Sequence, residues 1–179
     1  MPSKEELELC FREYLDRDGL HAMHDVPRDV YIFLVECSVK VGTVVVEIHV
    51  LDERIVSLAR CAMRVDANDS ETMHRVSEYL QRATYGMSVG SFDLNFDEGE
   101  ALFRTTLTCG SGLPCDDSLR MVIGMGPSMW AQYGDGFLEV AFEGADPKEV
   151  VGSSDAGMSV LERALAGEFD EDGDHGEES

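Results

Sequence analysis

Three consecutive segments of alternating apolar side chains, joined by very short connections, constrain this chain more than any other feature. The alternating positions run from Tyr31 to Val39, from Val44 to Leu51 and from Ile55 to Val65. Apolar residues at every second position, many of them β-branched, are typical of strands that bury one face of a sheet. The connections near residues 40–42 and at residues 52–53 are too short for a crossover helix. The pattern therefore predicts an antiparallel meander.

The segment before the meander has the pattern of a helix. Ser3 followed by Glu6 is a capping box, in which each side chain accepts the backbone amide of the other residue. One apolar stripe then recurs at helical spacing and comprises Leu7, Cys10, Phe11, Tyr14 and Leu15. Gly19 supplies a left-handed stop. We expect a helix between Ser3 and Gly19.

A second helix and a hairpin are predicted after the meander. Asn68 and Glu71 form the start signal of the helix, and Gly86 ends it. Its apolar face comprises Met73, Val76, Leu80 and Ala83. Alternation then returns at residues 92–96 and 101–107, on either side of a turn at residues 97–100.

The C-terminal region is predicted to be helical with interruptions. Asp116 or Asp117 caps a helix that must kink or restart at Gly124, Gly126 and Pro127, because proline donates no amide hydrogen bond. The apolar pattern continues to Ala141, and Gly144 and Pro147 end the helix. We expect one α+β domain over residues 1–151.

Residues 152–179 are expected to lie outside that domain. They comprise a Ser/Gly-rich linker, a short amphipathic stretch from Met158 to Leu165, and an acidic tail. From Glu168 onward the tail has seven acidic residues and no Lys or Arg, which is typical of a solvated, disordered segment.

Three short motifs carry a resemblance to a known family. They are Val76-x-x-Tyr79-Leu80, Gly86-Met87-Ser88-Val89-Gly90-Ser91-Phe92-Asp93-Leu94 and Phe103-Arg104-Thr105-Thr106-Leu107. In this order, helix then loop then two strands, they resemble the YbjN-like family of bacterial proteins. The resemblance extends over roughly residues 3–151 and is closest at residues 70–110. This chain departs from the family pattern by having Gly136 where a proline usually stands.

The resemblance implies a fold and a general role. The expected order is α-β-β-β-α-β-β-α, with a five-stranded antiparallel sheet packed by helices, as in the type III secretion chaperones. Proteins of that fold are often dimeric. Members of the family are described as proposed sensory transduction regulators, and no catalytic residues come with that description.

The charge of the chain excludes several classes of function. There are 36 Asp and Glu against 14 Lys and Arg, which gives a formal net charge of −22. Such a surface repels phosphate groups and anionic lipid, so we expect neither nucleic-acid nor membrane binding. No apolar run approaches the roughly 20 residues of a membrane-spanning helix.

The N-terminus and the cysteines indicate a cytoplasmic location. The N-terminus has no signal-peptide pattern. Five cysteines without a Cys-x-x-Cys motif support neither a disulfide framework nor a zinc ribbon. We therefore expect reduced thiols in a cytoplasmic protein.

Three sets of polar residues contain the residue types of metal or redox sites. Asp93-x-Asn95-x-Asp97 begins like a calcium loop, but Glu98 and Arg104 occupy the positions where the loop needs Gly and Glu. His21-x-x-His24 with Asp25 offers neighbouring metal ligands, but surface loop histidines are the simpler interpretation. Cys109 and Cys115 flank a glycine-rich loop, where Asp116 and Asp117 should raise their pKa values and leave them unreactive. No metal site and no cofactor is predicted.

The candidate partner-binding residues are Met121, Met125 and Met129, which recur at helical spacing, and Trp130, which follows them. Flexible thioethers on an exposed helix face suit varied apolar partners. Packing of this helix against the sheet is the simpler alternative, and a dimer seam would use the same side chains.

The leading hypothesis is a non-enzymatic protein-interaction module, chaperone-like or regulatory, that forms a homodimer. The alternative is a small-molecule-binding protein or an unrecognised enzyme with a pocket between helix and sheet. Polar groups converging on a pocket favour the alternative. A contiguous apolar patch favours the module.

Overall fold

The computed structural model describes residues 1–38, 40–85 and 87–154. In chain order its elements are α1 (Lys4–Asp18), β1 (Met23–Asp25), β2 (Val30–Glu36), β3 (Thr43–Leu51), β4 (Arg54–Arg64), α2 (Ser70–Thr84), β5 (Ser91–Asn95), β6 (Glu100–Thr108), α3 (Asp116–Leu138) and α4 (residues 147–154). A π-helical turn, Glu139–Glu143, continues α3. The strands form one antiparallel sheet in the order β1-β2-β3-β4-β6-β5. The predicted α+β architecture, an antiparallel sheet packed by helices, is confirmed.

The strands of the meander alternate between buried and exposed side chains as predicted. On β3 the even positions from Val44 to Val50 are buried against the helices, and on β4 the same face presents Ile55 and Ala59. The first strand of the meander, β2, ends sooner than expected, at Glu36. The Cys37 amide instead donates to the Gly42 carbonyl oxygen, at 2.9 Å, within the turn. Val39, the predicted end of this strand, lies outside the described residues.

The sheet has six strands and not the five expected. The additional strand is β1, which pairs with the start of β2 so that Met23 lies opposite Ile32 and Asp25 opposite Val30. A strand of three residues is too short to show a period of two in the sequence, which is why this segment was predicted to be a loop.

The first two helices begin through side-chain caps. In α1 the capping box is present: the Ser3 hydroxyl oxygen accepts from the Glu6 amide, at 3.3 Å, and the Glu6 carboxylate accepts from the Ser3 amide, at 2.8 Å. Gly19 ends the helix with a φ of 64°. In α2 the cap is Asp69, which accepts from the Thr72 amide at 3.1 Å, and not the predicted Asn68.

The third helix is continuous, so the restart predicted at Gly124, Gly126 and Pro127 is wrong, and the alternative, a kink at these residues, stays a prediction. Gly126 and Pro127 are buried within 23 unbroken residues, where Gly126 lets the helix approach the sheet closely. Tertiary packing thus outweighs the local cost of an interior proline. The predicted Asp116 and Asp117 lie in the first turn of α3, and the capping position is Cys115.

A fourth helix follows the predicted stop. Gly144 ends the π-helical turn with a φ of 73°, and Pro147 opens α4. Val151 of α4 is buried in the common core. The predicted domain boundary at residue 151 therefore falls inside a helix, and Gly152 is helical and not linker. The predicted amphipathic stretch at residues 158–165 and the acidic tail lie outside the described residues.

Candidate interaction surface

One face of the sheet is left uncovered by the helices of the described chain. Helices α1 and α3 pack on the face that carries Val44, Val46 and Ile48. The opposite face, called here the open face, is formed by the alternate side chains of the central strands. They are Ile32 and Leu34 of β2, Val45, Glu47 and His49 of β3, Val56, Leu58 and Arg60 of β4, and Leu102 and Arg104 of β6.

Apolar side chains lie among charged ones in the middle of the open face. Val45, Val56, Leu58 and Leu102 are all partly exposed, and none of them belongs to the core cluster. Arg60 lies between Val45 and Leu102, and Leu58 lies between Glu47 and Arg104. Towards the β2 edge, the Leu34 side chain is 72% exposed. Because a solvated face of an antiparallel sheet ordinarily alternates to polar residues, these exposed apolar side chains mark a candidate protein contact.

A buried carboxylate lies among these apolar side chains. The residue, Glu47, is only 6% exposed although no helix covers it. Arg28 Nη2 lies 2.6 Å from one of its oxygens, and Arg60 Nη1 lies 2.5 Å from the other. Arg60 also donates to Glu100 at 3.3 Å, and Arg64 donates to the same carboxylate at 2.9 Å. The arginine side chains thus form a network of ion pairs on this face of the sheet.

The pKa of Glu47 follows from this network of ion pairs. Burial by itself would raise the pKa of its carboxyl, but hydrogen bonds and positive charge from Arg28 and Arg60 outweigh burial and hold the pKa below its ordinary value. Glu47 is therefore ionised at neutral pH, with both oxygens paired. A buried charge that is fully paired can be covered by a partner at a smaller further cost than an exposed one.

The same strand places His49 beside this carboxylate. Its Nε2 lies 3.9 Å from Glu47 and makes no hydrogen bond among the described residues. Burial lowers the pKa of the imidazole, Glu47 opposes that shift, and Arg60 and Arg28 reinforce it. His49 is therefore neutral at pH 7. His49 lies on the open face but is only partly exposed.

The residues of the open face could have been found in the sequence only as an anomaly. The runs Tyr31 to Val35 and Val44 to Val46 are apolar in both phases of the period-2 alternation. A strand with one wet face should be apolar in one phase only. The partners Arg28 and Glu100 lie 19 residues before and 53 residues after Glu47, so no local spacing indicates the ion-pair network.

The predicted partner-binding residues lie on α3, on the other side of the sheet. Trp130 is completely buried and donates from Nε1 to the Ala59 carbonyl oxygen at 2.9 Å, so it is a core residue with no surface for a partner. Met125 and Met129 are partly buried against the core, and Met121 is partly exposed. A role of this methionine face in binding stays a prediction.

His24, one of the two histidines considered as metal ligands, lies beside Tyr31 and Asp29. His24 stacks on Tyr31, with ring centroids 4.4 Å apart, and its Nε2 lies 3.3 Å from Asp29. Glu8, His24 and Asp29 each offer one ligand atom, and these atoms lie within 4.8 Å of one another. The Lys4 ammonium already pairs with Asp29, and this hydrogen bond lowers the pKa of the carboxyl. Among the described residues these three could hold a cation, and Asp29 already has the Lys4 ammonium as its partner.

The residues of the calcium-like motif serve the β5–β6 hairpin. Asp93 pairs with Arg104 of the neighbouring strand, at 2.9 Å. The Asn95 side chain accepts from the Asp97 amide at 3.0 Å and closes the turn. Strand alternation thus places Asp93 and Asn95 in line on one face of β5, and Asp97 lies in the turn beyond the strand.

The two flanking cysteines are both free thiols with opposite environments. Cys109 is buried, and burial raises the pKa of its thiol. Cys115 is exposed at the start of α3, where hydrogen bonds from the Ser118 hydroxyl and amide lower the pKa of its thiol. The charge of Asp117 raises the pKa of Cys115 as expected, but these hydrogen bonds outweigh it, so the expected net rise in the pKa of Cys115 is wrong.

The alternative function predicts a pocket, and one cleft of the described residues lies between α3 and α4. A cleft of about 410 Å³ between α3 and α4 is lined by Asp135, Glu139 and Glu149, together with Gln132, Gly136 and serines 153 and 154. Two of its carboxylates are already paired. Asp135 accepts from Ser38 at 2.5 Å, and Glu139 accepts from Lys40 at 3.0 Å. Among the helices of the described residues, none is both long and apolar enough to cross a membrane.

The fold and the open face define a class: α+β proteins in which helices cover one side of an antiparallel sheet. No family model matches the sequence, and no curated protein matches it. Among solved structures, the chain is similar to the crystal structure of YbjN from E. coli, which is described as a proposed transcription regulator. The TM-score is 0.52 at 12% sequence identity, over 71% of this chain and 90% of the other. The similarity establishes a related fold.

Proposed function

We propose that this chain is a protein-interaction module without enzymatic activity, chaperone-like or regulatory, that works as a homodimer in the cytoplasm and contacts protein through the open face of its sheet. The observation that carries the proposal is the set of partly exposed apolar side chains on the open face, Val45, Val56, Leu58 and Leu102, beside a fully paired Glu47. A surface that combines exposed apolar area with paired arginine and glutamate side chains resembles the core and rim of a protein interface.

The ion pairs support this interpretation. Because Arg28 and Arg60 hold Glu47 in place, the open face is rigid and needs little ordering when a partner binds. Arginine contributes both an alkyl stem and a planar guanidinium group, and it is enriched in protein interfaces. The similarity in fold to a proposed regulator is compatible with this role.

The small-molecule alternative has weaker support. Its best candidate is the cleft between α3 and α4, where Ser38 and Lys40 already engage Asp135 and Glu139. A ligand would have to displace these hydrogen bonds before it gained its own.

A site-specific photo-crosslinker tests the proposed function. Benzoylphenylalanine is placed at Leu58, in the centre of the open face, or at Leu9, which is 62% exposed on α1 and serves as the matched control. The variants are produced in the native organism, irradiated and analysed by mass spectrometry. We expect a protein adduct at position 58 and none at position 9. An absence of protein adducts at position 58 would overturn the proposal.

A further inference from the structure

The charges of the described chain are distributed unevenly, and this identifies the occupant of the open face. Residues 1–154 contain 13 Lys and Arg against 27 Asp and Glu. Five of these cations lie on the open face or its rim: Arg28, Arg54, Arg60, Arg64 and Arg104. Six acidic residues lie there too: Asp25, Glu36, Glu47, Asp93, Glu100 and Glu98, which pairs with Arg64. With a net charge of −1, the open face is nearly neutral.

The rest of the described surface carries nearly all of the excess negative charge. Eight Lys and Arg remain against 21 Asp and Glu, a net charge of −13. Two copies that approach through any other surface bring like charge together and repel each other. Two copies that approach through their open faces do not. This self-complementarity is what a contact with two-fold symmetry requires, since the same patch meets itself.

The dimensions of the open face suit a dimer. Six strands spaced about 4.8 Å apart make a sheet about 24 Å wide, and central strands of about nine residues are about 30 Å long. The resulting area of about 700 Å² per copy is close to the roughly 800 Å² that each partner buries in a standard interface. Two antiparallel sheets stacked through apolar inner faces are also a recurrent architecture.

We propose that a second copy of this chain packs on the open face, sheet against sheet, with the two-fold axis close to the paired residues Glu47 and Leu58. This inference rests on the proposed function, because it names the protein that the open face contacts. Val45, Leu58 and Leu102 of each copy form the dry centre of the contact. The exposed arginines, Arg28, Arg64 and Arg104, lie at its rim together with the acidic side chains of the same copy that they already pair with.

The oligomeric state of the full chain tests the inference. Sedimentation equilibrium between 1 and 100 μM is expected to show a dimer whose dissociation constant rises at least tenfold in Leu34→Glu and in Leu58→Glu. The control Leu9→Glu makes the same change at an exposed leucine of α1 and should leave the constant unchanged. A monomer at 100 μM, or a dimer equally stable in all three variants, overturns the inference.

A measurement on the unmodified chain avoids any effect of the variants on folding. Because the dimer joins two copies with net negative charge elsewhere, added salt should screen their repulsion and tighten the dimer between 50 and 500 mM NaCl. Weakening by salt would contradict a nearly neutral contact surface.

The photo-crosslinking experiment separates the two proposals. An adduct at position 58 with the mass of two chains supports both. An adduct with a different protein and no self-adduct supports the proposed function and overturns the second copy as occupant. No adduct at all overturns both.

Discussion

Gly126 of α3 lies directly against Ala59 of β4. A Cβ atom added to this glycine would lie 2.4 Å from the alanine Cβ, far closer than two carbon atoms can approach. The contact fixes the height of α3 above the sheet, and four residues later it lets Trp130 reach the Ala59 carbonyl oxygen. Local helix propensity and close packing therefore make opposite demands at Gly126, and packing prevails.

Gly126→Ala is expected to lower the free energy of unfolding by about 1–3 kcal/mol, because neither backbone can move without loosening the core. The matched control is Gly124→Ala in the same helix, where an added Cβ meets nothing within 4 Å. That change should raise stability by about 0.5–1 kcal/mol through helix propensity. Urea unfolding measures both. Equal effects of the two substitutions would refute the close contact.

Two buried hydroxyl groups at paired positions provide a second test. Ser57 and Thr105 lie opposite each other on β4 and β6, and neither hydroxyl has a hydrogen-bond partner in the described structure. Removing an unpaired buried hydroxyl should stabilise the protein, so Ser57→Ala and Thr105→Val are each expected to gain about 1 kcal/mol. Thr106→Val, on the exposed side of the same strand, should have little effect. Thermal unfolding decides, and a marked loss at Thr105 would show that its hydroxyl is bonded.

The stability of the fold should depend on the protonation of His49. Its pKa lies below the ordinary value of 6.5 in the folded chain, so the unfolded chain binds a proton first as the pH falls. The associated stability is complete above pH 6.5 and is lost as the pH falls through the folded pKa. Glu47 titrates lower, below 4.5. Urea unfolding of His49→Gln should therefore show a flatter profile between pH 7 and 5 than the unmodified chain. Parallel profiles would exclude His49 as the cause.

The free thiols should differ in reactivity. Cys115 is exposed and has a lowered pKa, whereas burial raises the pKa of Cys61 and Cys109. Because the thiolate is the reactive form, limiting iodoacetamide at pH 7.5 should modify Cys115 first. Peptide mass spectrometry identifies the site. Ser118→Ala removes the side-chain hydrogen bond and should slow the reaction, and an unchanged rate would show that this bond does not activate the thiol.

The methionines of α3 should divide by their contacts. Met125 and Met129 pack against the core, so replacing either by alanine is expected to cost about 1–2 kcal/mol of unfolding free energy. Met121→Ala should cost less than about 0.5 kcal/mol, as for most partly exposed positions. Chemical denaturation gives the three values. A large loss at Met121 would place it in the core as well.

Much of the fold could be predicted from two features of the sequence, the alternation in residues 31–65 and the capping box at Ser3. Both are local signals, because a strand face repeats every two residues and a cap needs only three residues of separation. The restart of the helix predicted at Gly126 and Pro127 was wrong for the opposite reason. Their local preference is against helix, and only Ala59, which is 67 positions earlier in the chain, makes Gly126 necessary.

The sequence by itself determined the antiparallel meander, the first helix, the hairpin and the acidity that disfavours nucleic acid, since each depends on composition or on residues close together in the chain. The tertiary structure decided which face of the sheet stays open, and that Arg28, Arg60 and Glu100 gather around Glu47 on it. It also placed Trp130 in the core and not at a surface. These outcomes depend on contacts between distant segments, whose energies no local pattern contains.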